Sequence, residues 1–143
     1  MITGSLPSRT GFQIGQRASF SKTLTEADVS AFAGLTADFN PCHVDAEFAR
    51  RSKLGRRTVH EMLAGGLISS VLSGKLPGQS AVYLSQQMEF LAPVFIGDTV
   101  TAIVSVTAWQ PEKRIITLKT ECINQDGVQL ITGQAVLMVH QED

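Results

Sequence analysis

Apolar and polar residues alternate along much of the second half of the chain. From residue 100 to residue 108, valine or alanine occupies every even position, and threonine or serine occupies most odd ones. A period of two predicts a strand with one buried face. Three more strands are predicted, at 80–91, 114–123 and 128–139. Turn sequences at 109–113 and 125–127 separate the last three strands, so we predict an antiparallel meander. In 80–91 the alternation is less regular and predicts one face made of Val82, Leu84, Met88 and Phe90.

The first half of the chain has mainly helical patterns. After a short predicted strand at 19–24, Thr25 and Asp28 have the spacing of a capping box, which predicts a helix beginning there. The apolar residues that follow, Val29, Phe32 and Ala33, fall on one helical face. A second, short helical segment is predicted at 45–51.

The segment from His60 to Leu72 is apolar on nearly every side of a helical wheel. Such a helix is buried rather than mounted on a surface. Gly65 and Gly66 weaken it by roughly 1 kcal/mol each relative to alanine, which is reasonable if something packs very close to them. The sequence Leu-Pro-Gly at 76–78 ends the helix. We therefore predict one α+β domain in which a long antiparallel sheet wraps around a central helix.

Composition narrows the possible classes of function. The 143 residues carry a formal net charge of −1, which gives no electrostatic reason to expect nucleic acid or a membrane surface as a partner. No apolar run is long enough to span a membrane, and the first residues do not resemble a secretory signal. We predict a flexible lead-in at 1–14 and a domain at 15–143. Cys42 and Cys122 lack the spacing of metal ligands, so free thiols in the cytoplasm are expected.

The stretch "ADFNPCHVD" at 37–45 has a high density of polar side chains between apolar segments. Asp38 and His43 could belong to a solvated turn, a metal site or an acid/base pair. Pro41 stiffens the turn, and we expect Asn40 to hold the loop through backbone groups or to touch a substrate. A metal site made of His43, Asp45 and His60 fits no metal template well, so no metal is predicted.

Three motifs in order, "DFNPCHVD", "RTVHEMLAGGLISSVLSGKLPG" and "FLAPVFIGDTV", give the chain a resemblance to a known family. From about Gly15 to Val139 it resembles the R-specific enoyl-CoA hydratases of the MaoC-like dehydratase family. The resemblance implies the hot-dog fold, a sheet wrapped round a central helix. It also implies a lyase that hydrates trans-2-enoyl-CoA or enoyl-carrier-protein thioesters reversibly, by syn addition, to R-3-hydroxyacyl thioesters. The chemistry requires no metal or redox cofactor.

Hydration of an unsaturated thioester needs a base for the water, an acid for C2 and donors for the enolate-like oxygen. His43 suits the base and Asp38 the acid, and the matching family positions carry this pair. By resemblance, the oxyanion donor is the backbone amide of Glu61 at the start of the buried helix. The family usually has glycine there. The glutamate leaves changed substrate choice, a slower reaction and loss of the reaction all open.

Other residues are weaker candidates for binding or support. His60 is either a second catalytic histidine or, as we expect, a hydrogen-bonded residue at the helix start. Ser69 aligns with a serine near the acyl pocket of related hydratases, but it could simply bond to its own helix. Arg56 and Arg57 belong to the basic run at 50–58 and are candidates for binding a coenzyme A or carrier phosphate.

Two other classes of function stay open at this stage. A hot-dog thioesterase would hydrolyse the acyl-CoA bond, although the Asp38 and His43 arrangement favours hydration. A catalytically silent acyl-thioester-binding module is the second, because of Glu61. For any of the three, we predict a homodimer or a dimer of dimers, since a single unit leaves a sheet edge exposed.

Overall fold

The computed structural model of the chain describes residues 11–140. Of the predicted lead-in at 1–14, residues 1–10 lie outside the described residues. Phe12, in the remainder of that segment, packs edge-on against Trp109 with 4.9 Å between ring centroids. The elements in chain order are β1 (Arg17–Thr23), α1 (Glu26–Thr36), α2 (Pro41–Val44), α3 (Ala46–Arg51), α4 (Glu61–Gly74), β2 (Ala81–Phe90), β3 (Thr99–Gln110), β4 (Ile115–Ile123) and β5 (Gln129–Val139).

The five strands form one antiparallel sheet in the order β1-β3-β4-β5-β2. The predicted meander is confirmed for β3, β4 and β5, which follow one another along the chain and across the sheet. β2 precedes β3 in sequence but pairs with β5 at the far edge. The sheet therefore has β1 at one edge and β2 at the other.

Helix α4 lies against the sheet and contacts β1, β2, β3 and β4. Its buried residues join the core with side chains from the strands. They are Ala64, Gly65, Leu67, Ile68, Val71 and Leu72. The opposite face, which includes Met62, Gly66 and Ser69, is exposed in the single chain. The prediction of a helix at the centre of the sheet is thus confirmed, while burial is limited to one face.

The capping box predicted for the first helix is present. The Asp28 amide donates to Thr25 Oγ1 at 3.2 Å, and the Thr25 amide donates to Asp28 Oδ2 at 2.9 Å. Lys22 donates to the same carboxylate at 2.6 Å. The hydrogen bond from Lys22 is the main reason that the pKa of Asp28 lies below its ordinary value. Both amides at the start of α1 are therefore satisfied locally, as the sequence motif requires.

The two glycines of α4 have different surroundings. A Cβ on Gly65 would lie 2.8 Å from Met88 Sδ, so the expectation of close packing is confirmed there. A Cβ on Gly66 would have no atom within 4 Å. The same expectation is wrong for Gly66, which lies on the exposed face of the helix.

Strand β2 departs from the predicted face pattern because it contains a bulge at Leu84. The register shifts between Tyr83 and Ser85, and this reverses which side chains face the core. Met88 and Phe90 pair with Gly133 and Ile131, whereas Val82 pairs with Met138. Because residues paired across strands share a face, Val82 lies on the opposite face from Met88 and Phe90. The prediction of a single face through Val82 and Phe90 is wrong.

Among residues 11–140, no helix combines the length and the apolar character that crossing a membrane requires. Cys42 and Cys122 are both unpaired. Cys122 is fully buried, and its burial raises the pKa of the thiol to about 12. Its Sγ donates weakly to the Ala64 carbonyl oxygen, 3.8 Å away. This thiol therefore belongs to the packing between α4 and β4.

Replacing Gly133 with alanine should strongly destabilise the fold. An added Cβ would lie 1.9 Å from the backbone oxygen of Gln87, so β2 and β5 could not keep their present pairing. We expect a loss of about 1–3 kcal/mol or more in the free energy of unfolding, measured by urea denaturation. A Cβ added to Gly34 in α1 would meet no atom within 4 Å outside the backbone of its own helix. Gly34→Ala should therefore be neutral or stabilising by up to about 1 kcal/mol. Equal stability of the two variants would contradict the β2–β5 register.

Candidate active site

The loop that carries Asp38 is a tight turn at the end of α1. Ala37 adopts a left-handed conformation with φ of 62°, which stops the helix. The amide of Asp38 then donates to Thr36 Oγ1, and Asp38 Oδ1 accepts from the Asn40 amide, both at 3.3 Å. The Asp38 side chain is exposed at this turn. Its carboxylate is therefore accessible to a water molecule or a substrate.

Asn40 and Pro41 form the start of a one-turn helix, α2, where the sequence predicted only a turn. Asn40 Oδ1 accepts from the amide of Cys42 at 3.3 Å and caps the helix. Pro41 occupies the first helical position, where a missing N–H is not needed. The structural role expected for Asn40 agrees with this capping. Asp45 similarly caps α3 by accepting from the amides of Glu47 and Phe48, both at 3.0 Å.

His43 sits in α2 and is only 4% exposed. Its Nδ1 lies 2.7 Å from the carbonyl oxygen of Thr58. Because a carbonyl can only accept, Nδ1 carries the proton and Nε2 is left with a free lone pair. Nε2 is not among the enclosed, unpartnered nitrogens of the described residues, so it retains access to the site. This is the tautomer that a general base needs.

His60 lies against the ring of His43 and is 1% exposed. Its Nε2 donates to the backbone carbonyl oxygen of Asp38 at 2.9 Å. Its ring stacks on that of His43, with centroids 4.0 Å apart and 29° between the planes, and it also contacts Phe32. Nδ1 of His60 is buried and has no hydrogen-bond partner. The hydrogen-bonded role expected for His60 is consistent with these contacts.

A carboxylate oxygen of Asp38 and one ring nitrogen each from His43 and His60 lie within 4.8 Å of one another. This spacing allows one water molecule to bridge Asp38 and His43. The same three residues have the composition of a metal site, but their geometry is unfavourable for one. Nε2 of His60 is bonded to the Asp38 carbonyl oxygen, and its Nδ1 is closed to solvent, so neither ring nitrogen of His60 is open to an ion. The earlier candidate ligand, Asp45, is used as a helix cap.

The first turn of α4 supplies the candidate oxyanion donors. The carbonyl oxygen of His60 accepts from the amides of Leu63 and Ala64. Among the described residues, the amides of Glu61 and Met62 have no backbone acceptor. The Glu61 side chain is exposed, and it makes no ion pair or hydrogen bond within residues 11–140. A backbone donor is thus present at residue 61, with an exposed carboxylate beside it.

Ser69 does not join this cluster. It lies on the exposed face of α4, nine residues after His60, which is roughly 13 Å along a helix. Its side chain makes no hydrogen bond within the described residues. It could meet only a long ligand that runs along the helix.

The two candidate phosphate-binding arginines differ in their partners. Arg57 is 17% exposed and forms an ion pair with Glu26 at 2.6 Å. The guanidinium of Arg56 lies 3.8 Å above the ring of Phe95 and has no carboxylate partner in the described part of the chain. Both line a cavity of about 260 Å³ together with Ala46, Gly55 and Ile96. Arg56 is therefore the more available cation.

Sequence reasoning missed two partners of the histidines. Thr58 holds His43 through its backbone oxygen, and its hydroxyl lies 3.2 Å from the same ring nitrogen. Phe32, predicted only as a core residue, contacts the ring of His60. The sequence contains no signal for the Thr58 carbonyl, since every residue has one.

Comparison with known proteins places this arrangement in a family. Residues 10–127 match the family described as "MaoC like domain". The chain belongs to this family. An "(R)-specific enoyl-CoA hydratase" of Rhodospirillum rubrum is 47% identical over 125 residues, covering 87% of this chain and 86% of that protein. Another of Aeromonas caviae is 45% identical over 130 residues, covering 91% of this chain and 97% of that protein.

A solved structure supports the same assignment at the level of the fold. The "(R)-hydratase from A. caviae involved in PHA biosynthesis" matches with a TM-score of 0.88 and 44% identity, covering 90% of this chain and 98% of that one. The predicted MaoC-like family and hot-dog fold are both confirmed. The roles of individual residues in this MaoC-like protein stay predictions.

Proposed function

We propose that this MaoC-like protein is a hydro-lyase that hydrates trans-2-enoyl-CoA thioesters reversibly to R-3-hydroxyacyl-CoA thioesters. The observation that carries the proposal is the free Nε2 of His43 beside the exposed carboxyl of Asp38. Both lie next to the start of α4, where two amides are free to bind a carbonyl oxygen. The names of the two curated relatives support enoyl-CoA as the thioester class.

In the proposed mechanism, one water bridges Asp38 and His43. His43 Nε2 takes a proton from the water, and the oxygen attacks C3 of the alkene. The Thr58 carbonyl, which accepts from Nδ1–H, stabilises the positive charge that forms on the ring. Asp38 delivers a proton to C2, and the proton held by His43 then passes to Asp38, which restores both groups. Because both groups act from one side, addition is syn. The names of the two curated relatives support the R configuration at C3.

The amide of Glu61 completes the proposed mechanism by binding the thioester oxygen. Negative charge grows on that oxygen as the water attacks. A helix N-terminus presents a free N–H and a positive partial charge at this point. Preorganised donors of this kind commonly lower the activation barrier by several kcal/mol. The reaction involves only proton transfers, so we propose that it uses no metal or redox cofactor.

We propose that Arg56 contributes to binding a phosphate of coenzyme A. Phe95 holds its guanidinium in place without neutralising the charge. The basic segment precedes the catalytic helix by only a few residues. Arg57 is a weaker candidate because Glu26 already satisfies it. A carrier-protein thioester, whose arm also carries a phosphate, is the alternative substrate.

We also propose that the protein forms a homodimer through the edge of β2, or a dimer of such dimers. At the other edge, β1 carries Arg17 and Lys22, and Lys75 donates to the carbonyl oxygen of Ser19. β2 instead exposes Val82, Leu84 and Phe90 at 43%, 51% and 46%. A ten-residue edge strand with exposed apolar side chains readily pairs with another strand.

We propose a cytoplasmic location as well, which the two unpaired cysteines support.

Asp38→Asn and His43→Ala should each lower the rate of crotonyl-CoA hydration at least a hundredfold, since each removes one proton-transfer group. The assay follows loss of the enoyl absorbance together with release of free thiol. Asp45→Asn is the matched control, because asparagine can still cap α3. Thiol release would indicate the thioesterase alternative, and no reaction of wild-type protein at any chain length would favour a silent binding module. Near-wild-type rates in both variants would overturn the assignment of the pair.

Arg56→Ala should raise KM for crotonyl-CoA about tenfold, because a charge-assisted bond to phosphate contributes roughly 1.5–3 kcal/mol. The KM for the N-acetylcysteamine thioester, which has no phosphate, should not change. Arg57→Ala is the control and should lower thermal stability more than it affects KM. An equal rise in KM for both thioesters in Arg56→Ala would exclude a phosphate contact.

Introducing Val82→Lys together with Leu84→Lys should weaken the dimer, because two-fold pairing brings like charges together at the β2 edge. Light scattering coupled to size-exclusion chromatography measures the mass. We expect a dimer for wild type and a larger monomer fraction for the variant. Phe20→Lys, which places the charge on a partly exposed residue of β1, is the control and should stay dimeric. A monomeric wild-type protein would contradict the proposal.

A further inference from the structure

We infer that His60 is a positioning residue that holds the acid, the base and the oxyanion donor in one arrangement, and that it acts as a neutral imidazole with its proton on Nε2. The inference rests on the proposed function for its kinetic consequences. Its structural half, the protonation form of a buried ring, can be measured without activity.

The contact with Asp38 determines where the proton of His60 lies. The partner of Nε2 is a backbone carbonyl oxygen at 2.9 Å, so Nε2 must be the donor. Nδ1 is enclosed and has no partner among the described residues. Protonating it would add a buried charge and an N–H without an acceptor, and both are costly. The neutral Nε2–H form is therefore favoured.

The hydrogen bond from His60 Nε2 to the Asp38 carbonyl oxygen also holds the turn that carries Asp38, the proposed acid. Asp38 is exposed, and its other hydrogen bonds, to Thr36 and Asn40, are local contacts of 3.3 Å. Within residues 11–140, the bond from His60 is its only hydrogen bond to a residue distant in sequence. Without it, the turn that carries Asp38 would be held by local bonds alone.

The ring of His60 also supports the base. It stacks on His43 at 4.0 Å, and Phe32 contacts it at 4.8 Å between centroids. A neutral ring beside His43 can stabilise the cation that forms when His43 takes a proton from water. A charged ring at that distance would oppose it.

His60 further links this pair to the oxyanion donor. It is the N-cap residue of α4, and its carbonyl oxygen accepts from the amides of Leu63 and Ala64. The next amide along the chain is that of Glu61. One buried side chain thus aligns Asp38 and His43 with the amide proposed to bind the thioester oxygen.

Two variants separate the two contacts of His60. His60→Gln can still donate to the Asp38 carbonyl but has no ring, and His60→Phe keeps a ring against His43 but cannot donate. We expect kcat for crotonyl-CoA to fall roughly tenfold or more in each, with KM changed less than twofold. Val71→Ala is the control for general destabilisation, since Val71 is fully buried in α4 and lies eleven residues after His60. It should lower the melting temperature and leave kcat unchanged.

Long-range ¹H–¹⁵N NMR spectra of the free protein measure which ring nitrogen of His60 carries the proton. We expect the Nε2–H form for His60 and the Nδ1–H form for His43 at neutral pH. An imidazolium or an Nδ1–H form at His60 would overturn the inference even in a protein without activity. So would wild-type kcat in both His60 variants. If the wild-type protein shows no hydration, the proposed function fails, while the NMR result still decides the state of His60.

Discussion

The candidate site depends on a short extended segment, Thr58 and Val59, that is held from two sides. The amide of Val59 donates to the Val94 carbonyl oxygen, and Thr58 forms a bridge with Phe95. On the other side, Thr58 donates to the Cys42 carbonyl oxygen and accepts from His43. Since His60 follows at once and begins α4, the position of this segment sets the distance between the loop that carries Asp38 and His43 and the central helix.

Burial of His43 and His60 determines which ring nitrogens are available for chemistry. His43 and His60 are almost completely enclosed, yet each uses one ring nitrogen on a backbone carbonyl oxygen. A buried hydrogen bond to a rigid acceptor selects the tautomer without introducing a second charge. Asp38 is exposed, so the proposed acid and base have different environments although they lie within 4.8 Å of each other. That difference lets one group exchange protons with solvent while the other stays oriented.

Local and periodic features were predictable from the sequence, whereas pairings between distant segments were not. The capping box at Thr25 and the three strands of the meander depend on neighbouring residues, and both were recovered. The bulge at Leu84 arises from the register with β5, so alternation within β2 could not reveal it. For the site, the motif gave Asp38 and His43 as candidates, and the structure brings their side chains within 4.8 Å of each other. The Thr58 carbonyl and the pairing of Arg57 with Glu26 could not be inferred, because they depend on how distant segments meet.

Glu61 is the departure from the resemblance that most affects the mechanism, and its magnitude can be bounded. The donor is a backbone N–H, which the side chain does not remove. An acidic residue in the first turn also stabilises a helix by about 0.3–1 kcal/mol. In water, a unit charge about 4 Å from another costs about 1 kcal/mol, and 1.36 kcal/mol corresponds to a tenfold change in rate. While its carboxylate stays exposed, as it is here, we expect glutamate to slow the proposed reaction by no more than severalfold. That penalty is much smaller than the contribution of the donor itself, so Glu61 is compatible with catalysis.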